Sequence, residues 1–407
     1  MPEIAAAPPA LAKPSHLMTE LPSPKINMLA AVNKVAALTH VTPRSVAFNM
    51  FRAAIGKNRI APEDYFAFGL WRTDLTKAQR ATYVTAKQTH AAIKGLIAPK
   101  PHNLGSLVVD KYLTGLVLTA SGFDNPQPVA AFSPDRAFGS LRTLTTATEL
   151  ADYLADPARP AVFGKPVNGS RAVGATPVLA VQAGADSVGL GTGKAAPFAE
   201  LADEIARNYP RGWLMQELIV QPVDVVDLVG SGISSLRVVT LWEKNGPAAL
   251  YATWRIVAKG AVIDAAVTGP RVVAKIDLAT GAVLQARLGN YLNGRDVAHS
   301  PSNPVRPLIG FVLPDWAQTV AMCCDAHRLF PGHGMLGWDI ALSNRGPLVQ
   351  EVNTSPHQEM YQLSHGQGFF SADILARLTA AKQELAARIA RYGTVVRVAG
   401  QAKASQT

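Results

Sequence analysis

The residues best suited to chemistry stand near the carboxy end. Asp339 interrupts the apolar run Gly337-Trp338-Asp339-Ile340-Ala341-Leu342, and Glu351 and Asn353 close the run Leu348-Val349-Gln350-Glu351-Val352-Asn353. Gly346-Pro347 between them marks a tight turn, so the stretch reads as a hairpin of two short strands. Side chains alternate along a strand, which sends Glu351 and Asn353 to one face and Val352 to the core. The hairpin brings the Asp339 carboxylate beside them. Two carboxylates and an amide oxygen form a hard-oxygen set suited to Mg²⁺, which keeps waters and takes further ligands from substrate phosphates. A carboxylate in an apolar strand is costly unless a cation or hydrogen bonds compensate it. The pattern therefore asks for a nucleotide partner elsewhere in the chain.

Several stretches offer the complementary groups. Lys165 ends the apolar strand Ala161-Val162-Phe163-Gly164. After it, Pro166-Val167-Asn168-Gly169-Ser170-Arg171-Ala172-Val173-Gly174 forms a small-residue loop able to turn backbone N–H groups toward phosphate oxygens. Its spacing is not that of a P-loop, and a surface hairpin with an exposed Lys gives the same local pattern. Gly189-Leu190-Gly191-Thr192-Gly193-Lys194 reads as a flexible connection into a helix at 198–208. Met215-Gln216-Glu217-Leu218-Ile219-Val220 reads as a strand whose backbone can recognise adenine, with an acidic side chain nearby. An edge strand with solvated Gln216 and Glu217 reads equally well. Arg237 and Arg255 sit within apolar strands at 235–240 and 253–256, where burial without a partner costs on the order of several kcal/mol. Each needs an anion, either a phosphate or an acid such as Asp264.

Other residues attract less weight. Cys323, Cys324, His327 and His333 match no familiar zinc spacing and read as core residues. No nucleophile elbow of the form Gly-x-Ser-x-Gly occurs. His357 stands four residues after Asn353, where a plain loop histidine and a substrate contact are both open.

The elements that position these residues belong to a chain of 407 residues, long enough for two or three domains or one multi-lobed unit. With 48% apolar and 17% charged residues, it has the composition of a globular protein with a sizeable core. The formal charge of +10 suits nucleic acid or an anionic membrane surface. No dense basic run or RNA-binding aromatic signature accompanies it, and a phosphate-binding cleft also uses basic residues, so nucleic acid is not the expected partner. No apolar run reaches the roughly 18 residues of a membrane span. The Ala- and Pro-rich start reads as a flexible tail rather than a secretory leader. Cys323 and Cys324 are adjacent and are the sole cysteines, which fits a reducing cytoplasm.

Helical patterning dominates 26–104. Thr76-Lys77-Ala78-Gln79 resembles a capping box opening a helix that runs through Tyr83 and Lys87, and Asp110-Lys111 opens another that ends near Gly122. Strand-like runs dominate from Trp213, Asp277-Leu278-Ala279-Thr280-Gly281 is a hairpin turn, and helix returns at 314–329. Ser371 caps a final amphipathic helix carrying Ile374, Leu378, Leu385 and Ile389 on one face. Antiparallel strands mixed with helices argue an α+β fold.

In order, these pieces resemble the ATP-grasp superfamily, and within it the sugar-transfer-associated branch, also described as α-L-glutamate-ligase-like. The resemblance runs over 64–362, from Asp64-Tyr65-Phe66 through Asp110-Lys111, Phe163-Gly164-Lys165-Pro166, Gln216-Glu217-Leu218 and Ser235-Leu236-Arg237. It continues through Ile276-Asp277-Leu278, His299-Ser300-Pro301 and Leu313-Pro314-Asp315-Trp316 to Gly337-Trp338-Asp339 and Glu351-Val352-Asn353. It implies ATP held between two α+β lobes. Lys165 would contact the α- and β-phosphates, with Asn168, Gly169 and Ser170 in the loop closing over them. Gln216, Glu217, Leu218 and Ile219 would frame adenine, and Lys111 would lie near the cleft. Arg237 and Arg255 would face the γ-phosphate or a substrate carboxylate, and Asp339, Glu351 and Asn353 would hold Mg²⁺. The division implied is a tail (1–25), a helical region (26–104), a small lobe with the phosphate loop (105–215), a C-terminal lobe with the metal residues (216–395) and a second tail (396–407). Two departures stand out. Gly115 replaces a second Lys, and Asp264-Ala265 with Thr268-Gly269-Pro270 replaces the branch's Asp-Asn and Gly-Gly. The expected activity is ATP- and Mg²⁺-dependent joining of a small-molecule or glycan- or peptide-precursor carboxylate to an amine or other nucleophile. Phosphotransfer to a hydroxyl, or nucleotide binding with little turnover, are the alternatives.

Overall fold

The computed structural model describes residues 15–19, 26–100, 102–169, 172–257 and 271–392. Ser170, the 264–270 stretch and the residues from 393 on lie outside them. The chain forms two compact units, 126–219 with the short 15–19 segment in one and the remainder of the described residues in the other.

The larger unit begins with helices α1 (Met28–Thr39), α2 (Pro43–Ile55), α3 (Pro62–Ala67), α4 (Lys77–Arg80), α5 (Ala86–Lys94), α6 (Gly105–Val109) and α7 (Lys111–Ala120). The Thr76 capping box is present, yet it opens only a four-residue helix. A second box follows, in which Thr85 caps Gln88 N–H and the Gln88 side chain returns to Thr85, and it starts α5. The sequence reading merged the two because both halves carry helical periodicity. The turn between them is fixed tertiarily, by Asn58 Nδ2 donating to the carbonyls of Ala81 and Tyr83 at 2.7 Å each. Asp110 caps α7, its Oδ1 accepting from the N–H groups of Tyr112 and Leu113.

In the smaller unit, strands β1 (Pro128–Phe132), β2 (Arg142–Leu144), β3 (Val162–Pro166), β4 (Thr176–Val178) and β7 (Trp213–Glu217) form a sheet of order β2-β1-β7-β3-β4. Only the β1–β2 pair is parallel. Helices α8 (Ala147–Ala155) and α9 (Phe198–Asn208) cover it, packing Leu150, Leu154, Leu201 and Ile205 against Phe132, Val162, Trp213 and Met215. β5 (Ser187–Gly189) and β6 (Ala195–Pro197) pair with each other, so Gly189 to Lys194 is a hairpin turn rather than a loose connection. Residues 15–19, read from sequence as part of a tail, are anchored: Leu17 is buried, and the Glu204 carboxylate accepts from His16 N–H at 2.9 Å.

The rest of the larger unit comprises α10 (Val223–Val229), β8 (Ser235–Glu243), β9 (Gly246–Ile256), β10 (Val272–Ile276), β11 (Val283–Leu288), β12 (Arg295–Asp296), α11 (Trp316–His327), β13 (Met335–Ser343), β14 (Gly346–Asn353), α12 (Glu359–His365) and α13 (Ala372–Tyr392). Its strands make one antiparallel sheet of order β12-β11-β10-β9-β8-β13-β14. One face is apolar: Leu236, Val238, Trp254, Ile256, Ala274, Trp338, Ile340 and Val352 pack with α10 and α11. The other face is covered over its β9–β11 side, where Tyr251 meets Tyr361 and Phe369, and Val273 joins Tyr291 and Leu363. Arg237 of β8, Asp339 of β13 and Glu351 of β14 fall on this second face.

The cysteine–histidine group sits in the first core. Trp338 Nε1 donates to Thr240 Oγ1 at 2.8 Å, the Thr240 hydroxyl bonds His327 Nδ1 at 2.8 Å, and His327 Nε2 donates to the His333 carbonyl at 3.0 Å. Both ring nitrogens are thereby spent within the protein. Burial pushes His327 down to about 3, His333 to about 4 and His365 to about 3. Each is neutral when folded and protonates when unfolded near pH 6.5. Their stabilisation is complete above that value and is lost as pH falls toward 4, at up to about 1.4 kcal/mol per pH unit for each histidine. Urea midpoints measured from pH 7 to pH 4 should fall steeply, and a flat profile would refute this assignment.

Candidate active site

On the second face of the large sheet, register brings together residues distant in sequence. Asp339 pairs with Glu351 on one side and with Arg237 on the other, and Gly337 pairs with Asn353. A bulge between Asp339 and Ile340 absorbs Gln350, which keeps Glu351 in step with Asp339. Ser235 pairs with Arg255 one step along the same face.

Asp339 is the hub. Its carboxylate accepts a forked pair from Arg237, from Nε to Oδ1 and from Nη2 to Oδ2 at 3.0 Å. Arg255 Nη2 lies 3.1 Å from Oδ2 and also donates to Ser235 Oγ at 2.6 Å. Burial raises the Asp339 carboxyl, but the guanidiniums of Arg237 and Arg255 outweigh it and hold the group well below the usual carboxylate range. Burial opposes charge on Arg237 as well, and Asp339 reverses the balance upward. The anion that both arginines required is therefore Asp339. The sequence reading left a phosphate or an acid such as Asp264 open; strand order makes Asp339 one such acid for both arginines, while Asp264 lies outside the described residues.

Glu351 and Asn353 are less committed. Glu351 Oε1 lies 3.9 Å from Lys111 Nζ, beyond hydrogen-bonding reach, and its side chain is 32% exposed. Asn353 Nδ2 is buried with no partner. Lys111 reaches the sheet from the first turn of α7, which Asp110 caps. A Cβ at Gly337, which pairs with Asn353, would stand 2.8 Å from Pro356 and 3.4 Å from the Arg237 side chain. Among the described residues, no three His, Cys, Asp or Glu side chains converge. A divalent ion at this face would thus rest on two carboxylates, an amide and ligands from outside the protein. That hard-oxygen donor set is of the kind Mg²⁺ takes, while the unsatisfied Asn353 Nδ2 is a donor and would face an acceptor.

In the smaller unit, Lys165 is buried on β3, opposite Leu214 of β7. The loop after it is pinned at both ends. Val167 N–H donates to the Gly212 carbonyl at 3.0 Å, and Trp213 Nε1 donates to the Gly174 carbonyl at 2.9 Å. Between these anchors Asn168 and Gly169 are exposed. Gly174 has φ +76 and faces Tyr209, and its N–H donates to the Met18 carbonyl at 2.8 Å. Gln216 is buried and donates to the Pro126 carbonyl at 2.8 Å, while its Oε1 has no partner. Glu217 Oε1 accepts from Gln127 N–H at 3.1 Å. Leu218 is exposed and Ile219 half-buried, beyond the end of β7.

Gly164 was quoted in the sequence reading only as part of a motif, yet it decides where Lys165 stands. A Cβ at Gly164 would fall 1.8 Å from the fully buried Trp213 ring. Gly164→Ala should therefore cost about 3 kcal/mol of unfolding free energy. A midpoint matching the wild type in urea would contradict that packing.

Among solved structures, the chain resembles the D-alanine-D-alanine ligase of Coxiella burnetii, at 15% identity and TM-score 0.38 over 70% of this chain and 61% of that one. It also resembles an L-amino acid ligase of Bacillus licheniformis, at 13% and 0.37 over 69% and 48%. The D-alanine-D-alanine ligase of Bacillus anthracis complexed with ATP aligns at 12% and 0.37 over 77% and 78%. The chain thus spans about half to three-fifths of the length of the first two. No curated protein matched the sequence. A family profile described as sugar-transfer associated ATP-grasp matches residues 100–377. That match covers most of the chain and takes in every strand and loop of both sites, and the chain belongs to the sugar-transfer associated ATP-grasp family.

Proposed function

We propose that the protein is an ATP- and Mg²⁺-dependent ligase that joins a carboxylate to an amine or related nucleophile. The observation that carries this reading is the row Arg237–Asp339–Glu351 with Arg255, Asn353 and Lys111 around it on one sheet face. Three cations and three oxygen donors in one place suit the transfer of a highly charged group.

In this reading Asp339, Glu351 and Asn353 would hold Mg²⁺, which would neutralise phosphate charge when bound. Lys165 and the loop carrying Asn168, Gly169 and Ser170 take the α- and β-phosphates, and the backbone of Gln216, Glu217, Leu218 and Ile219 takes adenine. Arg237 and Arg255 orient the γ-phosphoryl group and the acceptor carboxylate. A carboxylate oxygen of the acceptor attacks the γ-phosphorus, the bond to the β-phosphate oxygen breaks, and ADP leaves. The amine then attacks the acyl carbon, inorganic phosphate departs with the bonding pair, and the amine proton passes to solvent. The protein's share is positioning and charge compensation.

The test is phosphate release from ATP and Mg²⁺ with pooled carboxylates and amines, followed by mass spectrometry of active pools. Equimolar ADP, phosphate and a condensed product are expected. Phosphate retained on a hydroxyl acceptor would make the protein a kinase. ATP binding without turnover in any pool would make it a nucleotide-binding regulator.

A further inference from the structure

Helices α1 and α2 bury one face each in the N-terminal core, through Ala31, Val32, Val35, Ala36 and Val46. The outward face of α2 carries a row of exposed apolar side chains. Phe48, Phe51 and Ile55 are each more than half exposed, whereas the exposed Leu29 and Leu38 of α1 lie on opposite sides of that helix and make no common face. Scattered exposed apolar residues are ordinary, but a contiguous group of them marks a binding surface. On α2, Arg44, Phe48, Phe51, Arg52 and Ile55 recur at helical spacing, so the apolar stripe and two cations share one face. The Arg52 guanidinium lies 5.8 Å from the Phe48 ring centroid.

Charge identifies the occupant. Residues 21–62 contain Lys25, Lys34, Arg44, Arg52, Lys57 and Arg59 and no Asp or Glu. Arg44, Arg52, Lys57 and Arg59 are exposed. A helix face that offers Phe and Ile beside cations, in a stretch without one acid, complements a surface that is anionic outside and hydrocarbon beneath. Nucleic acid would use the arginines and leave the aliphatic row in water. An acidic protein surface would do the same.

We propose that the outward face of α2 forms an interfacial docking surface for an anionic phospholipid bilayer. Phe48, Phe51 and Ile55 enter the headgroup boundary while Arg44 and Arg52 beside them meet lipid phosphates. No helix among the described residues is long and apolar enough to cross a membrane, so the attachment is peripheral. This surface is independent of the ligase reading, because none of its residues belongs to the candidate active site.

The experiment is co-sedimentation of the full chain with vesicles of phosphatidylcholine alone and of phosphatidylcholine mixed with phosphatidylglycerol. Binding to the mixed vesicles should exceed binding to neutral ones by roughly tenfold or more and weaken with salt. The double variant Phe48→Ser, Phe51→Ser should lose roughly tenfold or more of that binding with an unchanged thermal unfolding curve, since both rings are exposed. Arg44→Ser with Arg52→Ser should lose the preference for anionic vesicles. The proposal is overturned by absence of vesicle binding, or by binding that the phenylalanine pair does not alter. Preference for an oligonucleotide over vesicles would also overturn it, as would a dimer in solution abolished by the phenylalanine changes without any vesicle binding.

Discussion

Replacing Asp339 with Asn is expected to lower the unfolding free energy by about 3–5 kcal/mol. The substitution keeps the shape of the side chain and removes the anion that two buried guanidiniums share. The amide oxygen can still accept but Nδ2 cannot, so the fork from Arg237 is broken while Arg255 keeps Ser235, and both guanidiniums lose the charge of Asp339. Removing one partner of a buried pair costs more than the pair contributes, because the survivor's desolvation is no longer offset. Chemical denaturation of the larger unit measures the effect, and a loss below about 1 kcal/mol would show that the arginines find another anion. The pH dependence follows from the same geometry. The Asp339 carboxyl is held below its unfolded value, so its stabilisation is present above about pH 4 and is lost as pH falls below that. Asp339→Asn should therefore flatten the acid limb below pH 4 and leave the histidine-dependent limb between pH 6.5 and pH 4 in place.

Glu351→Gln should act the other way, with a small effect on folding and a large one on turnover. The Glu351 side chain is about one-third exposed, and its nearest cation stands 3.9 Å away, so the change in stability should stay within about 1 kcal/mol. As a proposed Mg²⁺ ligand, it should cost roughly 100-fold or more in ATP consumption with the active carboxylate and amine pair. Turnover and thermal unfolding are measured side by side. Wild-type ATP consumption in the variant would remove Glu351 from the metal site. A matching collapse of stability would make it a structural residue. The contrast between Asp339 and Glu351 is the sharper observation, because the two face each other across one strand pair and differ mainly in what already neutralises them.

Much of the site was legible along the chain because strand alternation is a local rule. The Gly346-Pro347 turn and the period of two placed Glu351 and Asn353 on one face, and the pairing of Asp339 with Glu351 follows the hairpin read from sequence. Asp110 at the start of a helix and Asp277 to Gly281 as a hairpin turn follow equally from local capping and turn chemistry. The family too was readable, since the order of its motifs is a property of the sequence. Where local patterns run together, reading fails: the two capping boxes at Thr76 and Thr85 were merged, and the turn at 189–194 looked loose until its strands paired.

What sequence determined was each strand's polarity pattern and the chemical kind of each candidate group. What only the tertiary structure decided was partnership. Arg237 and Arg255 were known to need an anion, and strand order, in which β8 lies between β9 and β13, made Asp339 that anion. Gly164 looked like one small residue among many, until β7 laid the Trp213 ring against it. Local backbone rules act over a few residues, whereas burial energies and charge compensation depend on which distant segments are pressed together, and that information exists only once the sheet has formed.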